Sequence, residues 1–236
     1  MATFLELVQD VARESGTEPN INDPSTLTGV TGRLLRMKHM VEDSWRDIQR
    51  LHKSWLWMYA AFSGTTIAST QDYDAAAMGI TASRFSRWVI HDEQGELTMT
   101  SYLTSAGRSE ERLLAYVEWP EFYRRYLRGD AATTTGEPQV VTVDPQRKLH
   151  FYPIPDASYT IRGRYYKAPQ VLSVDADEPE CPAEYHDTIK WKALSQLAVF
   201  DENSEQLPMW QNNYFGELSN LRSGQLALMN TAGPLA

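Results

Sequence analysis

A chain of 236 residues, 42% hydrophobic and 22% charged, has the length and make-up of one large or two small globular domains. Its formal charge of −9 argues against a protein that wraps nucleic acid on a basic face, although an acidic wall would let DNA slide past without sticking. Cys181 is the only cysteine, so no intramolecular disulfide forms, and the longest uncharged apolar run, Trp55 to Phe62, is far short of a bilayer span.

The opening residues, MATFLELVQDVARESG, carry acids early and no basic run, so they do not read as a signal peptide. Thr3 and Glu6 hold capping-box spacing, Phe4, Leu7, Val8 and Val11 share a face, and Gly16 ends the run, which predicts a helix from about Thr3 to Ser15. TEPNINDPSTLTG follows as a loop. Thr31 then caps a long second helix, expected to reach Met58. On it Leu34, Val41, Trp45, Ile48, His52 and Trp55 recur at helical steps, with Arg33, Arg36, Glu42, Asp43, Arg46, Asp47 and Arg50 on the other faces. That apolar stripe must be buried against other helices, and nothing on it is arranged for chemistry.

From Tyr59 the period changes. Strands are expected around Phe62–Ile67 and Arg84–Ile90, with HDEQGE as the turn before LTMTSYL. Pro120 opens a short helix, PEFYRRYLRG, that Gly129 ends. QVVTV and KLHFYP flank the turn DPQR, and SYTIRGRYYKAP follows, which reads as a meander of three strands. At Pro182 the helical period returns, with Tyr185, Ile189, Ala193 or Leu194, Leu197 and Phe200 on one face. Trp210, Tyr214, Leu218 and Leu221 then line a last helix with Pro208 near its start. The fold class is therefore α+β: a helical bundle built from the N- and C-terminal helices (residues 1–57 and 180–223), a mostly β domain inserted at 59–175, and an extension at 224–236. Leu34, Val41, Trp45, Ile48 and Trp55 should meet Ile189, Leu197, Trp210 and Leu218 in the bundle core.

The chemistry-bearing residues form no recognised constellation. No two of His39, His52, His91, His150 and His186 share the spacing with which one helix ligates a metal, and His91-Asp92-Glu93 reads as a solvated turn. Glu180 beside Cys181 disfavours a thiolate. TGVTG before the second helix lacks the strand and the Lys-Ser/Thr of a phosphate-binding loop. Trp119, Phe122, Tyr123 and Tyr126 share a helix face, which fits a core or subunit interface better than base stacking beside Arg124, Arg125 and Arg128. No catalytic, cofactor or metal residue is assigned, and no enzyme activity is expected.

Five blocks in order, FLELVQDVARESG, TGVTGRLLRMKHMVEDSWRDIQRLHKSWLWM, YLTSAGRSEERLLAYVEWPEFYRRYLRG, TTTGEPQVVTVDPQRKLHFYPIPDASYTIRGRYYKAP and PECPAEYHDTIKWKALSQLAVF, resemble the head-to-tail adaptor (connector) proteins of tailed bacteriophages. Residues 65–100 follow that pattern loosely. The resemblance implies a homo-oligomeric ring, usually a dodecamer, docked beneath the portal protein at the capsid vertex. Such a ring is part of the virion, assembled in the host cytoplasm. It extends the DNA channel, through which DNA passes without specific binding, and offers a surface to tail or tail-completion proteins. The C-terminal extension would reach the portal, with Leu226, Leu228, Met229 and Leu235 as apolar anchors on a tail uncharged from Ser223 onward. Such a tail is expected to order only on docking. Another neck or tail-completion protein is the alternative, and an intracellular enzyme without a recognisable motif is the more distant one.

Overall fold

The computed structural model describes residues 2–16 and 24–226 and is α+β. Its helices are α1 (Phe4–Glu14), α2 (Gly32–Leu51), α3 (Trp119–Tyr126), α4 (Asp187–Phe200) and α5 (Leu207–Gln225). The chain divides into two compact units: the described residues within Met1–Met58 and Pro169–Ala236, and Tyr59–Ala168.

In the first unit, the Thr3 hydroxyl accepts the Glu6 N–H at 3.2 Å while the Glu6 carboxylate accepts the Thr3 N–H at 2.8 Å, a closed capping box at the head of α1. The N–H groups of Phe4 and Leu5, which a helix start leaves without partners, donate to the carbonyls of Asp177 and Asp175. Phe4, Leu7, Val8 and Val11 are buried. Thr31 takes the N-cap position of α2, but its hydroxyl makes no capping bond.

The buried stripe of α2 is Met37, Val41, Ser44, Trp45, Ile48 and Gln49, and Leu34, one turn earlier, is only half-buried. The helix stops at Leu51 rather than at Met58, because His52 turns to extended backbone. Trp55 is therefore reached by a turn, not by the helix. There its indole N–H donates to the Ile48 carbonyl at 3.1 Å, one of the carbonyls that a helix end leaves open. Trp55 is fully buried and stacks on Trp57, which stacks in turn on Trp45.

Helix α4 packs against α1, α2 and α5, and buries Ile189, Ala193, Leu194, Leu197 and Ala198. Phe200, expected on that buried face, is exposed, with the Arg36 guanidinium 3.5 Å above its ring. Trp210, Leu218 and Leu221 are the buried residues of α5, while Tyr214 is half-buried. The segment after Pro169 is tied to α2 by two glutamines. Gln49 Nε2 donates to the Gln170 carbonyl at 3.0 Å, its Oε1 accepts the Gln170 N–H at 2.6 Å, and Gln170 Oε1 accepts the Trp45 indole N–H at 3.2 Å.

In the second unit, β11 (Tyr159–Lys167) pairs along one edge with β1 (Tyr59–Thr65) and along the other with β4 (Thr100–Leu103) and β3 (Phe85–Val89), β5 (Arg112–Leu113) extending β4. The hairpin of β8 (Val140–Val143) and β9 (Leu149–Tyr152) belongs to another sheet, with β2 (Asp72–Tyr73) and β6 (Ala115–Tyr116) at its edges. The predicted meander is thus broken. Between β9 and β11, β10 (Ile154–Pro155) pairs with β7 (Thr135–Gly136), and the chain then joins the larger sheet. Pro153 just before β10 and Pro155 within it leave it few ladder donors, which separates the strands on either side. Both sheets contribute to one core containing Phe62, Met78, Trp88, Met99, Leu149, Phe151 and Ile161.

Glycine is required where β1 runs closest to that core. A Cβ on Gly64 would lie 2.7 Å from Met78 Cα and 2.6 Å from its Sδ. Backbone cannot yield as a side-chain tip does, so Gly64→Ala is expected to destabilise the β unit by ~1–3 kcal/mol, the usual cost of overpacking. Chemical denaturation of the two proteins checks this, and an unchanged midpoint would show that Met78 moves freely.

Candidate interaction surfaces

Several titratable groups that could do chemistry are engaged by the structure. His186 is buried, its Nδ1 3.2 Å from the Ala2 N–H and its Nε2 3.1 Å from the Cys181 carbonyl, and so it clasps the start of the chain. His150 contacts Asp144 at 3.1 Å and packs on Trp119. In the HDEQGE turn the Asp92 carboxylate accepts the N–H groups of Gln94 and Glu96, which leaves it committed to the turn. Among the described residues, no three His, Cys, Asp or Glu side chains stand together as a metal would require.

Cys181 is buried, and that burial pushes its thiol up to about 12. The folded chain therefore favours the protonated form. This contribution to stability is complete below the thiol's ordinary value near 9.0 and is lost as pH rises towards about 12. Native protein should react with a thiol reagent at pH 8 only as fast as it opens, whereas the urea-unfolded chain should react at once. Rapid native labelling would contradict the burial.

Two exposed faces remain. The first lies on the helical unit, where a groove of ≈ 360 Å³ runs between α4 and α5. Val199 and Phe215 stand at its mouth, 64% and 61% exposed, and Tyr214 and Gln196 line it. Helix α5 carries only Glu217 and Arg222 as charged residues, so its outer face is nearly charge-free. Depletion of charge around exposed aromatic side chains is the compositional mark of a subunit interface.

The second is the solvent face of the larger sheet. Alternation along β11 puts Arg162, Arg164 and Tyr166 on one side, and the register sets Tyr59 opposite Tyr166, Ala61 opposite Arg164, Ser63 opposite Arg162 and Arg87 opposite Tyr166. Arg164 donates to the Tyr59 hydroxyl at 3.1 Å, and the Arg87 guanidinium lies 4.4 Å over the Tyr166 ring. The spacing R-x-R-x-Y in SYTIRGRYYKAP is the sequence signal for this face. Tyr59 and Arg87 join it only through strand pairing, which spacing along one segment does not disclose.

The profile of one protein family, described as SU10 adaptor protein, matches residues 2–235, nearly the whole chain. The chain belongs to this family of phage head-to-tail adaptors. A search of curated proteins finds no match. Among the described residues of this adaptor-family chain, no helix is long and apolar enough to cross a membrane. The basic trio on α3 and just beyond it is engaged locally. Arg125 pairs with Glu121 at 2.7 Å, Arg124 donates to the Pro120 carbonyl, and Arg128 lies over the Tyr123 ring. Pro120 is the second residue of α3, not the first. Of the tail anchors, Leu226 is the residue after α5 and is half-buried, while Leu228, Met229 and Leu235 lie outside the described residues.

Proposed function

We propose that this phage adaptor is a structural part of the virion neck: copies of the chain form a ring, a dodecamer as the resemblance implies, that docks beneath the portal, extends the DNA channel and gives the tail its attachment surface. The match to the adaptor family over residues 2–235 carries the reading. The chain's own physics supports it. Exposed Met209 and Phe215 on a nearly uncharged outer helix need a partner, and a formal charge of −9 per copy favours a channel wall past which DNA moves without being held. In this reading the terminal helices make the ring body and the β-rich segment is its insertion. Leu34, Val41, Trp45, Ile48 and Trp55 meet Ile189, Leu197, Trp210 and Leu218 inside that body, and Leu226, Leu228, Met229 and Leu235 anchor the tail to the portal. Negative-stain electron microscopy of the purified protein, alone and mixed with the portal of the same phage, tests the proposal. Rings stacked on the portal are expected, and a monomer that leaves the portal bare would refute it.

A further inference from the structure

The formal charge is unevenly placed. Tyr59–Ala168 holds 12 Lys and Arg against 13 Asp and Glu, and the rest of the chain holds 10 against 18, so nearly all of the −9 lies outside the β unit. Within that unit the sheet face exposes Arg87 and Arg164, with Arg162, Tyr59 and Tyr166 half-buried beside them. Arginine and tyrosine, with tryptophan, are enriched among the residues that dominate binding energy at protein interfaces. Here their side chains are already held in place, with Arg164 bonded to the Tyr59 hydroxyl and Arg87 laid on Tyr166, so little rotamer freedom remains to be lost on binding. Exposed Ala61, Ser63 and Thr65 run beside this row and leave a shallow trough.

A surface of opposite character lies on the helical unit. Between Pro169 and Cys181 the chain presents Val171 and Val174, 76% and 58% exposed, alongside Asp175, Asp177, Glu178 and Glu180, with no basic residue. This loop is rigid. The Asp177 carboxylate accepts the N–H groups of Ser173 and Val174 at 2.6 and 2.9 Å, the Asp175 carboxylate accepts that of Leu27 at 3.0 Å, and the Asp175 and Asp177 carbonyls cap α1. Two branched apolar knobs thus project from an acidic, preorganised ledge.

We infer that the Arg–Tyr sheet face of one copy receives the acidic Val171–Glu180 loop of an adjacent copy. This rests on the ring reading above and names one of its interfaces. The valines would lie in the trough of small side chains while the carboxylates face the arginines, an arrangement in which charge sets register as well as attraction. Because the two surfaces differ, the contact is heterologous, the kind that closes into a ring when its rotation is right. Nucleic acid fits this face less well: the guanidinium groups cover the rings on which bases would stack, and Glu111 already pairs with Arg162 at 3.3 Å.

Mixing two full-length variants tests the inference. R87E/R164E alters only the sheet face and V171D/V174D only the loop. By mass photometry each alone is expected to self-associate about 30-fold or more weakly than the unaltered chain, as loss of hot-spot residues implies. Mixed, they retain one intact face and one intact loop between them, so a one-to-one heterodimer that grows no larger is expected. That heterodimer also shows that both variants are folded. Rings of normal size from either variant, or no heterodimer on mixing, would overturn the interface and leave the ring reading standing. An unaltered chain that stays monomeric with and without portal would overturn the ring reading itself. Should R87E/R164E form rings yet lose retention of duplex DNA, the face serves nucleic acid instead.

Discussion

Replacing Trp45 by alanine is expected to remove ~3–5 kcal/mol of stability, the range in which truncation of a buried aromatic residue falls. The indole is 1% exposed at the middle of the α2 stripe, stacked on Trp57 at 6.2 Å and bonded through its N–H to Gln170 Oε1 at 3.2 Å. Alanine would leave a cavity and remove one of the two hydrogen bonds to that oxygen, which would keep only the Glu180 N–H. Urea unfolding followed by circular dichroism at 222 nm, which is dominated by the helices, provides the measurement. Trp45→Phe separates the two contributions: it keeps most of the ring's volume but removes the hydrogen bond, and should cost ~1–2 kcal/mol. A cost below ~1 kcal/mol for the alanine variant would show that this stripe is not central to the helical unit.

The elements that could be read from sequence are those whose signal is local. The capping box of Thr3 and Glu6 closes as spacing predicts, because both partners lie within one turn of helix. The HDEQGE turn likewise needs only Asp92 and its neighbours. Two departures from the sequence pattern arise from bonds to distant or unexpected partners. Periodicity carried α2 on to Trp55, and Trp55 is indeed buried, but its N–H reaches the Ile48 carbonyl only if the helix stops first. Strand content in SYTIRGRYYKAP was plain, whereas its partners β1, β3 and β4 come from earlier in the chain and the adjacent hairpin is not among them. Phe200 continued a helical face in sequence, yet the end of α4 puts it in solvent beneath Arg36. The charge-poor outer face of α5 was visible in composition, but its exposure was not, since a stripe of apolar residues looks the same whether its partner is the same chain or another copy.

Deleting residues 227–236 is expected to leave both units folded and to abolish stable attachment to the portal. The cut belongs after Leu226 because α5 extends to Gln225, beyond the break expected at Ser223. Gly224 in its last turn lies against the Tyr185 hydroxyl, so a cut at that point would remove helix packing along with the tail. Beyond Leu226 the sequence ALMNTAGPLA offers Leu228, Met229 and Leu235 without a single charge. One such tail buries too little apolar surface to hold a capsid by itself, since ordering its backbone consumes much of the gain. In the proposed ring the tails would be linked, so each one bound would raise the effective concentration of the next, and many weak contacts would become a stable joint. Truncation should therefore act steeply, with the full-length chain sedimenting with DNA-filled capsids and the shortened chain remaining in the supernatant. L228D/M229D keeps the tail's length and should fail in the same way, which separates loss of apolar anchors from loss of reach. A truncated chain that joins filled capsids as well as the full one would place the docking element elsewhere, and the exposed Val199 and Phe215 beside the α4–α5 groove would be the next surface to alter.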